Sequence, residues 1–229
     1  MNAAELFWQR QALVFDLDGT LVHTLPDLTD ALNQALAGEG SGRVGEDLVR
    51  SSLHGGLEGS VDAAIDHLGL APACRARLID RYAACYEHSL AVRSAPYPGV
   101  RPVLDRLRDR GVRLAVCTNK LEAQAVRLLA AFDLLASFEL VVGADTCVER
   151  KPSPVPLLHA ISALRAEAHE SLLIGDSAVD AACAFGAEVS CLLFTGGYGF
   201  RGLGTSPGVL PFSSWGALLR GEPPDHGAV

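Results

Sequence analysis

The chain has no CxxC pair and no cysteine or histidine spacing of the kind that grips a metal. Six scattered cysteines (Cys74, Cys85, Cys117, Cys147, Cys183, Cys191) give neither a thiolate zinc site nor a disulfide framework; they read as small buried hydrophobes in a reducing compartment. His23, His54, His67, His88, His159 and His169 likewise show no ligand spacing. There is no basic stripe, and the formal net charge of −8 argues against a nucleic-acid surface. It does not exclude a small anionic substrate, because a local cluster or a bound metal sets the field inside a pocket. Met1 to Arg10 has no basic leader region, and the next apolar run stops at Asp16. No run reaches the length of a membrane helix, so a cytoplasmic protein without a membrane partner is expected. No internal repeat is present either. What remains is 229 residues, 49% hydrophobic and 20% charged, enough for one sizeable domain or one domain with a smaller insertion.

The apolar segments fall into two kinds. Leu25, Leu28, Ala31, Leu32, Ala35 and Leu36 keep helical spacing up to a stop at Gly38, and Val61, Ala64, Ile65 and Leu68 form a second stripe. Leu78, Ile79, Tyr82, Ala83 and Tyr86 form a third, and no strand-like alternation occurs between Leu25 and Ser94. Outside this helical block, strands alternate with helices. Ala12–Phe15, Val112–Cys117, Phe138–Val142, Leu172–Ile174 and Val189–Phe194 read as strands, the last of these being the final clear one. Helices are expected around Val103–Leu107, Val126–Ala131, Leu157–Leu164 and Ala178–Phe185. The tail Glu222 to Gly227 reads as frayed. Such alternation predicts an α/β core, a parallel sheet covered on both faces in three Rossmann-like layers, with an inserted α-helical cap. The expected bounds are 1–21 and 96–229 for the core and 22–95 for the cap.

Polar clusters recur at the carboxyl ends of the predicted strands, which is where open α/β sheets bind ligands. Asp16 and Asp18 follow the first; being two apart, they share a face, and two such acids are costly unless a cation or a shared proton relieves them. Thr118-Asn119 follow the second, and Gly175-Asp176-Ser177 follow the Leu172–Ile174 run. Lys151 sits on the long connection after Phe138–Val142 and can reach the same edge. Alone, each has a plainer reading: Asp-Gly as a turn, Thr118-Asn119 or Asp176-Ser177 as a helix start, Lys151 as a solvated charge. Together they outweigh those readings.

Asp16-Leu17-Asp18-Gly19-Thr20, Thr118-Asn119, Lys151-Pro152 and Gly175-Asp176-Ser177-Ala178-Val179-Asp180 resemble the four ordered motifs of the haloacid dehalogenase superfamily. The closest resemblance within it is to phosphoglycolate-phosphatase-like enzymes, through Thr118-Asn119-Lys120, the run Lys151 to Pro156, and Gly197-Tyr198-Gly199. The resemblance implies a Mg²⁺-dependent phosphomonoesterase acting on a small phosphorylated metabolite, with 2-phosphoglycolate foremost. It implies Asp16 as nucleophile, forming an aspartyl-phosphate, and Asp18 as the acid/base. Asp16, the Asp18 carbonyl and Asp176 would hold the metal, and Asp180 would brace them from behind. Thr118, the Asn119 backbone N–H and Lys151 would hold the phosphate oxygens, Lys151 also offsetting the charge of the nucleophile. His54, beside Gly55-Gly56 in the cap, is the candidate substrate contact; Gly197 and Gly199 are assigned to backbone geometry. One departure stands out: where relatives often carry Asp-Ser after the first motif, this chain has His23-Thr24. The alternatives are a sugar phosphomutase of the same superfamily and a phosphate-sensing module without turnover. A monomer or homodimer fits either.

Overall fold

The computed structural model describes residues 2–199 and 208–222, with the His54 side chain outside that description. In chain order the elements are α1 (Ala3–Trp8), β1 (Ala12–Phe15), β2 (Val22–His23), α2 (Leu25–Ala37), α3 (Glu46–Ser52), α4 (Gly56–Leu68), α5 (Arg75–Ser89) and β3 (Ala95–Pro96). There follow α6 (Val100–Asp109), β4 (Arg113–Cys117), α7 (Glu122–Ala131), β5 (Leu140–Val142), α8 (Val155–Ala163) and β6 (Ser171–Gly175). The chain closes with α9 (Ala178–Gly186), β7 (Ser190–Phe194), β8 (Val209–Phe212) and α10 (Trp215–Arg220). None of the described helices is long and apolar enough to cross a membrane.

Six strands form a parallel sheet in the order β5-β4-β1-β6-β7-β8. Side chains along a strand alternate between faces, and the two faces build separate cores. Leu13, Phe15, Leu114, Val116, Leu172 and Ile174 face one layer with Val103, Leu107 and Trp215. Ala12, Val14, Ala115, Cys117 and Leu173 face the other with Leu157, Ile161 and Cys183. Both sides of β1 are fully buried, which is why it reads as an unbroken apolar run. Of the cysteines, Cys74, Cys117, Cys183 and Cys191 are buried while Cys85 and Cys147 are half-buried; all six are free thiols.

The helical block has a core of its own, in which Leu25, Leu32, Leu78, Tyr82 and Tyr86 are buried together. It is joined to the sheet through the short antiparallel pair β2–β3, with His23 opposite Ala95.

Three details correct the sequence reading. A further strand, β8, follows the run taken as last; Pro211 interrupts its apolar pattern, and as an edge strand it needs only half of its donors. The strand expected from Phe138 pairs only from Leu140, because Phe138 ends a 3₁₀ turn and packs on Phe15, ring centroids 5.9 Å apart. Glu222, expected to fray, accepts from Arg106 Nε at 2.6 Å and Arg110 at 3.1 Å; the rest of that tail lies outside the described residues.

Candidate active site

Register positions the site. Phe15 is level with Val116 on one side and with Ile174 on the other. The residues just beyond, Asp16, Thr118 and Asp176, therefore leave the sheet at one edge. The ladder continues into them: Asp16 N–H donates to Ile174 at 2.8 Å and Thr118 N–H to Val142 at 2.9 Å. β1 is flanked by β4 and β6, whose chain connections run to opposite sides, so the edge lies at the crevice where such sheets bind ligands.

Lys151 reaches this edge from the loop after β5. Its Nζ lies 2.7 Å from Asp16 Oδ1 and 2.6 Å from Asp180 Oδ1, with only 3% of the side chain exposed. Burial works against its charge, but Asp16 and Asp180 outweigh that and hold its pKa well above the ordinary value. Asn119 braces the same loop, its Nδ2 donating to the Lys151 carbonyl at 2.9 Å. Thr118, buried, is not the cap of α7, whose N-cap is Leu121; its Oγ accepts from Lys120 N–H at 3.2 Å.

Asp180 is oriented by the start of α9. Ser177 is the N-cap, and its N–H and Oγ–H both donate to Asp180 Oδ2, at 3.1 and 2.7 Å. With Lys151 on the other oxygen, both Asp180 oxygens are engaged. Asp176 differs. Its Oδ2 accepts from the N–H groups of Tyr198 and Gly199, at 2.5 and 3.2 Å, while Oδ1 has no donor among the described residues. Gly19 and Gly197 allow this crowding. Gly19 has φ +86°, and a Cβ there would meet Asp176 Oδ2 at 2.5 Å; a Cβ on Gly197 would meet the same atom at 2.4 Å.

Oxygens of Asp16, Asp176 and Asp180 lie within 4.8 Å of one another, all three residues buried. Such a set fits a hard divalent cation, which takes carboxylate oxygens and relieves their repulsion. Among the described residues Asp16 Oδ2 meets only Thr20 Oγ, at 3.4 Å, and it and the undonated oxygen of Asp176 are the atoms left to ligate. With protein charges alone, burial pushes Asp16 from 3.8 up to about 7; Lys151 opposes this, while Asp180 and Asp18 add to it. Burial, then Asp16 and Asp180, also raise Asp176 well above its usual value, against the two backbone N–H groups.

A raised carboxylate pKa makes the folded state bind a proton that the unfolded chain releases. The stability tied to Asp16 is thus full below about pH 4 and is lost as pH rises through about 7. A divalent cation replaces that proton. The rise in melting temperature on adding Mg²⁺ is therefore expected to be small near about pH 5 and larger near about pH 8. A rise independent of pH would show that the cation binds elsewhere.

The model of one family, haloacid dehalogenase-like hydrolases, matches residues 13–194, an interval that contains every residue described at this edge except Gly197, Tyr198 and Gly199. The chain belongs to that family. It is 37% identical over 215 residues to a phosphoglycolate phosphatase of Rhodospirillum rubrum, covering 91% of this chain and 89% of the relative. To a phosphoglycolate phosphatase of Nitrosospira multiformis it is 40% identical over 196 residues, covering 80% and 82%. The solved structure of a protein predicted to be a phosphoglycolate phosphatase, from Haemophilus somnus, superposes with a TM-score of 0.84 at 27% identity, covering 93% of this chain and 97% of that one. This haloacid dehalogenase-like hydrolase is accordingly an enzyme of the phosphatase kind.

Three features of this family member escape the motifs. The segment His23-Thr24, at the β2–α2 junction, is built around Tyr198, whose hydroxyl accepts from the N–H groups of Thr24 at 2.7 Å and Leu25 at 3.0 Å. That leaves its own hydrogen for His23 Nδ1, 3.0 Å away, a bond that needs a neutral imidazole. Burial, with Arg50 adding to it against Glu46, holds the His23 pKa below its ordinary value, as that bond requires. Tyr198 thereby ties the Asp176 carboxylate to the start of α2. Second, Lys120 is buried, its Nζ 2.9 Å from Asp18 Oδ2 and 3.0 Å from the Tyr86 hydroxyl. Its Lys-after-Asn position was legible, but nothing in the sequence pairs it with a tyrosine 34 residues upstream. Third, Arg50 of α3 lies over the Tyr198 ring at 5.6 Å.

A cavity of about 870 Å³ joins these parts, lined from the sheet edge by Asp16, Asp18, Thr118, Lys151 and Asp176 and from the helical block by Arg50, Ile79 and Tyr86. His54 lies in the 3₁₀ turn Leu53–Gly55; Leu53, Gly55 and Gly56 line the cavity, while the His54 side chain is outside the described residues.

Proposed function

We propose that the enzyme hydrolyses a small phosphomonoester with Mg²⁺ through an aspartyl-phosphate, with 2-phosphoglycolate as its substrate. The observation that carries this reading is the buried triad of Asp16, Lys151 and Asp180 beside Asp176, under a cavity closed by helices from residues 22–95, which we take as the cap. In this mechanism an Asp16 oxygen attacks phosphorus, and the bond to the leaving oxygen breaks as Asp18 gives that oxygen a proton. Asp18, now a carboxylate, then takes a proton from the water that attacks the acyl phosphate, returning Asp16 and releasing inorganic phosphate. The Thr118 hydroxyl, the Asn119 N–H and the Lys151 ammonium hold the non-bridging oxygens as charge builds on them. Asp16, Asp176 and the Asp18 carbonyl would hold Mg²⁺, which supplies charge neutralisation at the phosphoryl group. Asp180, with both oxygens already engaged by donors, serves to keep Lys151 in place.

Two observations support the substrate. The relatives above are named for phosphoglycolate. Further, Arg50 and Arg150 line the cavity without a carboxylate partner among the described residues, and Arg50 is half-buried over an aromatic ring, a place suited to a second anionic group such as a carboxylate. A panel of phosphorylated metabolites, ranked by kcat/KM with Mg²⁺ and repeated with EDTA, tests the reading. 2-Phosphoglycolate should rank first, and chelation should abolish release of phosphate. Arg50→Leu should raise KM for 2-phosphoglycolate by roughly ten- to a hundredfold, the worth of one hydrogen bond to a charged group. KM for p-nitrophenyl phosphate, which lacks the second anion, should hardly move. Equal changes for both would remove Arg50 from substrate recognition.

A further inference from the structure

Three side-chain links cross from α5 to the segment entering and forming α7. Gln124 donates to Glu87 at 3.0 Å, Arg127 pairs with the same Glu87, and Lys120 donates to Tyr86 at 3.0 Å. Only the last continues into the chemistry. The Lys120 ammonium sits 4.6 Å from the centre of the Tyr86 ring and 2.9 Å from Asp18 Oδ2, with 5% of its side chain exposed. Asp18 Oδ1 is buried and has no partner among the described residues. One carboxylate oxygen is thus anchored and the other left free in a cavity-lining residue.

We propose that Lys120 is the positioning residue for Asp18, fixing that carboxylate through one oxygen so that the other meets the leaving group. Because Lys120 is held in turn by Tyr86 of α5, Asp18 is set in place when α5 sits on the core. This rests on Asp18 being the proton donor of the proposed reaction. An ammonium at 2.9 Å restricts the rotation of a short side chain, and a buried tyrosine restricts the ammonium; neither contact needs substrate. The Lys120 side chain touches neither Asp16 nor Asp176 in any described bond, and the bond from its N–H to Thr118 Oγ is a backbone contact that substitution keeps, so the side chain's link to the reaction is Asp18.

The test is the dependence on leaving group. An alkyl phosphate leaves as a strongly basic alkoxide and needs the proton, whereas p-nitrophenyl phosphate leaves as a stable anion and does not. The two kcat/KM values are compared for the parent, Asp18→Asn, Lys120→Met, Lys120→Arg and Tyr86→Phe, using 2-phosphoglycolate or the alkyl phosphate that the parent turns over best. Lys120→Met is expected to lose roughly a hundredfold on the alkyl phosphate, within the range of general acid catalysis, and only a few-fold on p-nitrophenyl phosphate. Tyr86→Phe should show the same split at smaller size, and Lys120→Arg should restore part of the alkyl rate. Tyr86→Phe keeps the buried ring, so it carries the test should Lys120→Met fail to fold. If Asp18→Asn splits the substrates and the Lys120 and Tyr86 variants do not, the positioning role is overturned while the proton donor stands. If Asp18→Asn itself gives no split, both fall together.

Discussion

Replacing Asp16 with Asn lowers kcat by about four orders of magnitude or more in the reaction proposed above, because the amide cannot make the acyl phosphate. The fold should survive. Asn fills nearly the same volume, and Lys151 keeps its 2.6 Å contact with Asp180 when the Asp16 partner becomes neutral. The change also removes one of three crowded acids, whose repulsion adds to the burial that drives Asp16 up to about 7. Urea unfolding of the variant should therefore stay within about 2 kcal/mol of the parent, the spread of an ordinary substitution. Acid-quenched protein from a reaction with phosphorus-labelled substrate should carry hydroxylamine-sensitive label in the parent and none in Asp16→Asn. Label of undiminished yield in the variant would place the nucleophile on another residue. A variant with activity near that of the parent would remove Asp16 as the nucleophile.

The parts of this site that were legible in the sequence are those written locally. β1, β4, β6 and β7 are buried on both faces, so each appears as an apolar run, and a polar residue ending such a run marks the sheet edge. Asp16, Thr118 and Asp176 were placed in that way, and the parallel register then brought them together. Asp180 was legible as the residue four beyond Asp176, and its capping role follows from Ser177 three residues before it. The parts not legible depend on partners far along the chain. Tyr198 meets Asp176 across 22 residues and Thr24 across 174, and no periodicity records either contact. Lys120 was legible only as the residue after Thr118-Asn119, and nothing local records that the fold closes Tyr86 over it. The short helices α1 and α10 and the two-residue strands β2 and β3 are too brief to carry a period. They form because tertiary contacts supply what local propensity does not, as where Trp8 Nε1 of α1 donates to the Leu218 carbonyl of α10 at 2.7 Å.

Lys151→Ala separates two roles of one ammonium, the structural one its contacts show and the catalytic one proposed above. As a structural cation it compensates Asp16 and Asp180, both buried and both within 2.7 Å. Removing one partner of a buried ion pair leaves uncompensated charge, which costs about 3–5 kcal/mol. That loss should be largest without a divalent cation and near about pH 8, where Asp16 is ionised. It should shrink near about pH 5, because the raised pKa lets Asp16 take up a proton instead. Mg²⁺ should restore part of the stability at the higher pH, since a dication relieves the same carboxylates. In the proposed reaction, however, Lys151 would also hold a phosphoryl oxygen where charge develops, a place that a dication beside Asp176 would not occupy. Turnover should therefore fall by about 10²–10³-fold even with saturating Mg²⁺, the effect of losing one preorganised donor, and inhibition by inorganic phosphate should weaken with it. Lys151→Arg should not recover the rate, because the larger planar guanidinium cannot occupy an ammonium site that is 3% exposed between two fixed carboxylates. Melting curves across pH, with and without Mg²⁺, set beside phosphate inhibition constants, measure the two roles separately. Full activity in a destabilised Lys151→Ala enzyme would reduce this residue to a counter-ion and move the work of holding the phosphoryl group to Thr118 and Asn119.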